Sequence, residues 1–137
     1  MNIIDNRVNK PYTNHEDYYR IHFYKKTNGE VPIINFLEEI EDVKLKNKVL
    51  KFIQILQEYG RELYEPYTKY LKDGIYELRI HHSSNYARCL YFFYCDDLII
   101  MTNGFIKKTN KTPSKEIKTA LNNKKDFIKR MEEMKNE

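Results

Sequence analysis

A chain of 137 residues is one domain's worth, and its 41% hydrophobic and 32% charged residues suit a small globule better than a disordered tail. Four glycines and four prolines exclude collagen-like and low-complexity classes. The net charge of +4, from 24 Lys/Arg against 20 Asp/Glu, permits a polyanionic partner without requiring one.

The first nineteen residues are polar, with Pro11 and several asparagines, and read as a poorly ordered extension ahead of a domain over residues 20–137. They lack the apolar core of a secretory signal, and no later run reaches the ~20 apolar residues of a membrane span, so a cytoplasmic protein with no membrane partner is expected. The run RIHFYK, residues 20–25, alternates and is rich in strand formers, which predicts a first strand. Asn28-Gly29 breaks it. Val31-Pro32 opens a short helix, with proline where a missing N–H costs nothing. Leu45, Val49, Phe52, Ile53 and Leu56 recur at helical spacing until Gly60, giving the second arm of a helical hairpin.

After Gly74 the period becomes two. Tyr76, Leu78 and Ile80 alternate with Glu77, Arg79 and His81, as in a half-buried strand. A Ser83-Ser84-Asn85 turn leads into YARCLYFFY, a central strand, and Asp96-Asp97 turns into LIIMTNGFI, residues 98–106. Thr112-Pro113 reads as an N-cap followed by proline at the first helical position. Ile117, Ala120, Leu121 and Ile128 then stripe a closing helix. The order β-α-α-β-β-β-α implies an α+β domain: a small antiparallel meander with a helical hairpin and a C-terminal helix. Cys89 and Cys95, six residues apart in one extended strand, would lie ~20 Å from each other, too far to bridge. Both are expected to be small buried hydrophobes.

Residues 107–137 hold ten Lys/Arg and five Asp/Glu, a net of +5, so the preceding 106 residues sum to −1. A lysine-rich helix is ordinarily a solvated face. Here it follows directly on Lys107 and Lys108, and the sheet offers Arg79 and Arg88 on adjacent strands. Together with Lys111 these could form one phosphate-binding surface.

The segments HFYKKTNGEVPIINFLEEI, EPYTKYLKDGIYELRI, NYARCLYFF and NGFIKKTNKTPSKEI occur in that order. They resemble the phage-derived HigB-type toxins of the RelE/ParE superfamily, over about residues 21–130. The resemblance implies a RelE-like fold and the toxin of a type II toxin–antitoxin system. It further implies neutralisation by a helix-turn-helix, HigA-like antitoxin, and cleavage of mRNA on the translating ribosome. Arg88 in the YAR step matches the arginine such nucleases place at the scissile phosphate, and Arg79 in YELR a basic position facing the same site. Lys107 and Lys108 stand where the third basic group is carried; the sequence leaves open which of them turns inward.

Metal-free RNA cleavage uses the ribose 2′-OH as nucleophile on the adjacent phosphorus. The protein must orient the attack, stabilise charge on the phosphate oxygens and move two protons. Arginine's planar fork suits the second task. For the proton transfers, His81 shares a strand face with Glu77 and Arg79 and is a candidate acid or base, with a plain polar strand-end residue as the alternative. Glu77 is a second candidate base, or else an ion-pair partner of Arg79. Tyr94 and Tyr91 could stack on a base, although sheet aromatics more often belong to a core. No metal cluster, glycine-rich phosphate loop or nucleophilic triad is present in the sequence, so no metal or cofactor is expected. Two other readings stay open: a ParE-like inhibitor that acts by binding DNA gyrase, and a degenerate member that only binds its antitoxin.

Overall fold

The protein, seen in a computed structural model, is described for residues 18–108 and 111–136; most of the N-terminal extension expected above lies outside these residues. Strand β1 (Arg20–Phe23) is followed by helices α1 (Pro32–Glu39) and α2 (Val43–Tyr59) and a short 3-10 turn (Gly60–Glu62). Strands β2 (Thr68–Lys72), β3 (Ile75–His82), β4 (Asn85–Tyr94) and β5 (Leu98–Lys107) then precede helix α3 (Ser114–Lys135). The chain is α+β as expected, but its sheet has five strands, in the order β1-β5-β4-β3-β2.

The strand order corrects the expectation of a purely antiparallel meander in two places. First, the sequence reading passed over β2. Its residues TKYLK are largely exposed at the sheet edge, so they lack the apolar alternation of a half-buried strand. The Asp73-Gly74 turn that pairs β2 with β3 was the available signal: Asp73 takes φ 49° and Gly74 φ 84°, left-handed values typical of a two-residue hairpin. Second, β1 pairs with β5 in parallel, Arg20 opposite Leu98 and Phe23 opposite Met101. Two helices and three strands separate β1 from β5 in the chain, a crossover long enough to return a strand in the same direction. The sheet is therefore mixed.

The helical hairpin forms as expected. Asp42 caps α2 by accepting from the Lys44 and Leu45 amides at 3.0 and 3.2 Å. Gly60, at φ 48°, ends the helix and donates its N–H to the Leu56 carbonyl. Leu45, Val49, Ile53 and Leu56 are buried against Leu78, Ile80, Ala87, Cys89, Tyr91, Ile99 and Met101, which form one face of the sheet. Gly104 of β5 lets the Phe36 ring of α1 approach the backbone where a Cβ would collide with it. On the other face, α3 lays Ala120 and Phe127 over Ile75, Leu90, Phe92 and Ile100. Tyr18 is buried, and Tyr19 packs on Phe93 while its amide donates to the Gln57 carbonyl at 3.1 Å. The packed domain thus includes these two residues.

Cys89 is buried, and burial pushes its thiol up to about 12. Cys95 corrects the expectation of two buried thiols: it is exposed, just past the end of β4, at φ 58° in the turn to β5. Both are free. Among the described residues no helix is long and apolar enough to cross a membrane.

Candidate nucleic-acid interface

Helix α3 covers only part of its face of the sheet. Beyond its first turn, three strands present side chains in adjoining rows. Arg79 of β3 is directly opposite Arg88 of β4, which is opposite Phe105 of β5. One step further, His81 faces Tyr86, and Tyr86 faces Lys107. Period-two alternation puts Glu77, Arg79 and His81 on the same side as Tyr86, Arg88 and Lys107. The strand register therefore collects residues that are up to thirty positions apart in the chain.

Glu77 lies at the centre, 1% exposed. Its Oε2 accepts from Arg79 Nε at 3.0 Å and stands 3.8 Å from Arg88 Nε; its Oε1 accepts from the Thr112 hydroxyl. Arg88 is 6% exposed. Its Nη1 donates to the Ala87 carbonyl at 3.0 Å, while its buried Nε has no hydrogen-bond partner. Burial is the main reason that the Arg88 guanidinium is held below its usual range, with Glu77 opposing the shift. The Lys107 ammonium is lowered too, first by desolvation and then by the Arg88 charge. Three cations thus share one carboxylate, an excess of two positive charges on a partly water-excluded surface. Such a surface attracts an anion.

The open side of this cluster is a cleft of about 430 Å³ lined by Ser84, Asn85, Tyr86, Arg88, Ile106, Lys107 and Lys108. The Tyr86 and His81 rings stack at its rim, 4.6 Å apart and 17° from parallel. His81 Nε2 lies 2.5 Å from the Ser83 carbonyl, which can only accept. In this contact Nε2 is therefore the donor. Lys48 donates to the His81 carbonyl at 2.5 Å and Asn85 to Asp42 at 2.9 Å, bracing the β3–β4 turn against α2.

Of the residues singled out from the sequence, Glu77, Arg79, Arg88, His81 and Lys107 come together. Lys107 is half-buried and interacts with Arg88, Glu77 and Arg79, whereas Lys108 is exposed along the cleft wall. Lys111 is exposed next to Thr112. Tyr94 lies elsewhere: it is six residues along β4 from Arg88, ~20 Å away, and packs on Phe127 of α3 with ring centroids 5.2 Å apart. Tyr91 is buried on the hairpin face, its hydroxyl 2.5 Å from that of Thr68. Two participants escaped the sequence reading. Tyr86 was legible, because it alternates with Arg88 at period two. Thr112 was taken for the α3 N-cap, but the cap is Pro113, with no side-chain bond, and the Thr112 hydroxyl goes to Glu77.

No curated protein matches this chain. The family described as phage-derived protein Gp49-like (DUF891) matches residues 35–125, about two thirds of the sequence. The match runs from α1 into α3 and includes every residue of the cluster and the cleft. The chain belongs to the Gp49-like family of phage-derived proteins, which is related to the toxins of toxin–antitoxin systems.

Proposed function

We propose that this protein is the toxin of a type II toxin–antitoxin system, of the HigB/RelE kind, and that it cleaves mRNA on the translating ribosome. The observation that supports this reading best is the Arg79–Arg88 pair, set opposite each other across β3 and β4 beside Lys107, with a single carboxylate between them. In the proposed reaction the ribose 2′-OH gives its proton to a base, and its oxygen attacks the adjacent phosphorus. The bond to the 5′-oxygen breaks, and that oxygen takes a proton. The products are a 2′,3′-cyclic phosphate and a 5′-OH end. Arg88 and Arg79 bind the non-bridging oxygens as their charge grows, and Lys107 adds a third cation. His81, stacked on Tyr86 at the rim of the cleft, is the proposed proton-transfer group. Glu77, with both oxygens engaged, holds the arginines. The proposed partners are the mRNA in the ribosome and a helix-turn-helix antitoxin that blocks this surface.

Toeprinting of an mRNA under translation, with wild type and Arg88→Ala, tests the reading. New 5′ ends are expected with the wild type and their loss with the variant. Intact mRNA with wild type, or undiminished cutting by Arg88→Ala, would overturn it; intact mRNA with gyrase supercoiling inhibited would point to a binding toxin instead.

A further inference from the structure

Thr112 is spent in an unexpected place. A threonine just before a proline at a helix start ordinarily caps the helix, a contact worth about 1 kcal/mol. Here α3 begins without a side-chain cap, and Thr112, 7% exposed, turns its hydroxyl to Glu77 Oε1. The other oxygen of Glu77 serves Arg79 at 3.0 Å and faces Arg88 at 3.8 Å. A carboxylate held only through Oε2 could rotate about its terminal torsion, which is broad and soft. Held at both oxygens, it cannot. The distance to Arg88 matters as well. At 3.8 Å the carboxylate compensates the charge of Arg88 but takes no hydrogen bond from its Nε, which stays without a partner although buried. A structural ion pair would be expected to close that bond.

We infer that Glu77 and Thr112 are a positioning pair: the Thr112 hydroxyl fixes the carboxylate, and the carboxylate sets the spacing and tilt of the two guanidiniums that receive a phosphate. This rests on the reading of Arg79 and Arg88 as phosphate ligands, but not on the cleavage that follows. It also gives the segment after β5 a role, because Thr112 ties the start of α3 to the basic cluster.

The probe is inorganic phosphate, titrated into the full chain while the arginine Nε–Hε signals are followed by NMR. Wild type is expected to show saturable shifts at Arg79 and Arg88. Thr112→Val, which keeps the shape and loses the hydroxyl, is expected to bind about tenfold more weakly, the size of one hydrogen bond to a charged group. Thr112→Ser should restore most of that loss, which a purely space-filling role would not predict. Thr112→Ala reads the same contact should the valine variant fail to fold. The inference is overturned by wild-type affinity in Thr112→Val or Thr112→Ala, by failure of serine to restore it, or by the absence of saturable binding in the wild type. Cleavage of translated mRNA, assayed separately on the same proteins, keeps the two ideas apart. Threonine-dependent phosphate binding with intact mRNA would retire the nuclease and leave the positioning pair standing.

Discussion

The two faces of the sheet are built from the same strands and are opposite in character. The face under α1 and α2 is largely closed and apolar: Leu78, Ile80, Ala87 and Cys89 are all fully buried there. The face under α3 is apolar only where the helix covers it. Past the start of α3, the same two strands carry Glu77, Arg79, Arg88 and His81. Alternation along β4 makes the contrast sharp, since Ala87 and Cys89 point into the hairpin core while Arg88 between them points into the basic cluster. One side of the sheet supplies stability, and its rigidity holds the guanidiniums on the other side at fixed spacing. The basic side gives up stability, because three cations and one carboxylate are partly withdrawn from water.

That division can be broken from either side, and the largest effect is expected in the core. Ile53→Ala, at a fully buried position under the sheet, should lower unfolding free energy by about 4 kcal/mol in a denaturant titration, with the folded fraction still binding phosphate. On the other face, Arg88→Met should lower the proposed cleavage by about 10³-fold, in the range of losing a preorganised donor to a transition-state oxyanion. Its melting temperature should stay level or rise, because a buried cation with an unpartnered Nε is replaced by an apolar chain of similar length. A large drop in stability would show that the basic face also holds the fold together. His81→Asn should cost the proposed cleavage about 10²-fold, through loss of the proton-transfer group, and should leave phosphate binding intact.

The smallest effect is electrostatic. Desolvation, and then Arg88, hold the Lys107 ammonium below the ordinary 10.5, so the folded state binds this proton less tightly than the unfolded chain does. The resulting penalty is fully present below the folded pKa and is relieved as the pH rises from there toward 10.5, so stability gains in that window. NMR titration of the Lys107 side chain should find the lowered value, and Arg88→Met should move it back up. No movement would mean that Lys107 does not share the site.

Much of the fold was legible because it rests on local patterns. The spacing of Leu45, Val49, Ile53 and Leu56 selects a helix with one apolar side, Pro32 and Gly60 bound the hairpin, and the alternation from Tyr76 to Ile80 selects a strand. Strand β2 was signalled only by its Asp73-Gly74 turn, and the direction of β1 was not legible. An exposed edge strand has no apolar period to display, and parallel pairing depends on a crossover that no local residue encodes. Within the site, strand parity grouped His81 with Glu77 and Arg79 in advance, whereas Arg79, Arg88 and Lys107 were nominated as site cations by the resemblance to the HigB-type toxins. Tyr94 has the right type and the right parity as well, yet it stands at the wrong end of β4.

By itself, then, the sequence determined the helices and the strands other than β2, the placing of the positive surplus after the last strand, and the placing of Arg79 and Arg88 on adjacent strands. Only the tertiary structure decided the rest: that Lys107 rather than Lys108 is drawn toward Arg88, that Glu77 is buried among its partners, and that Thr112 serves Glu77 and not its own helix. The physical reason is the same in each case. Periodicity is a property of neighbouring residues, whereas burial and charge compensation depend on what the register of three strands and the end of a helix bring within a few ångströms.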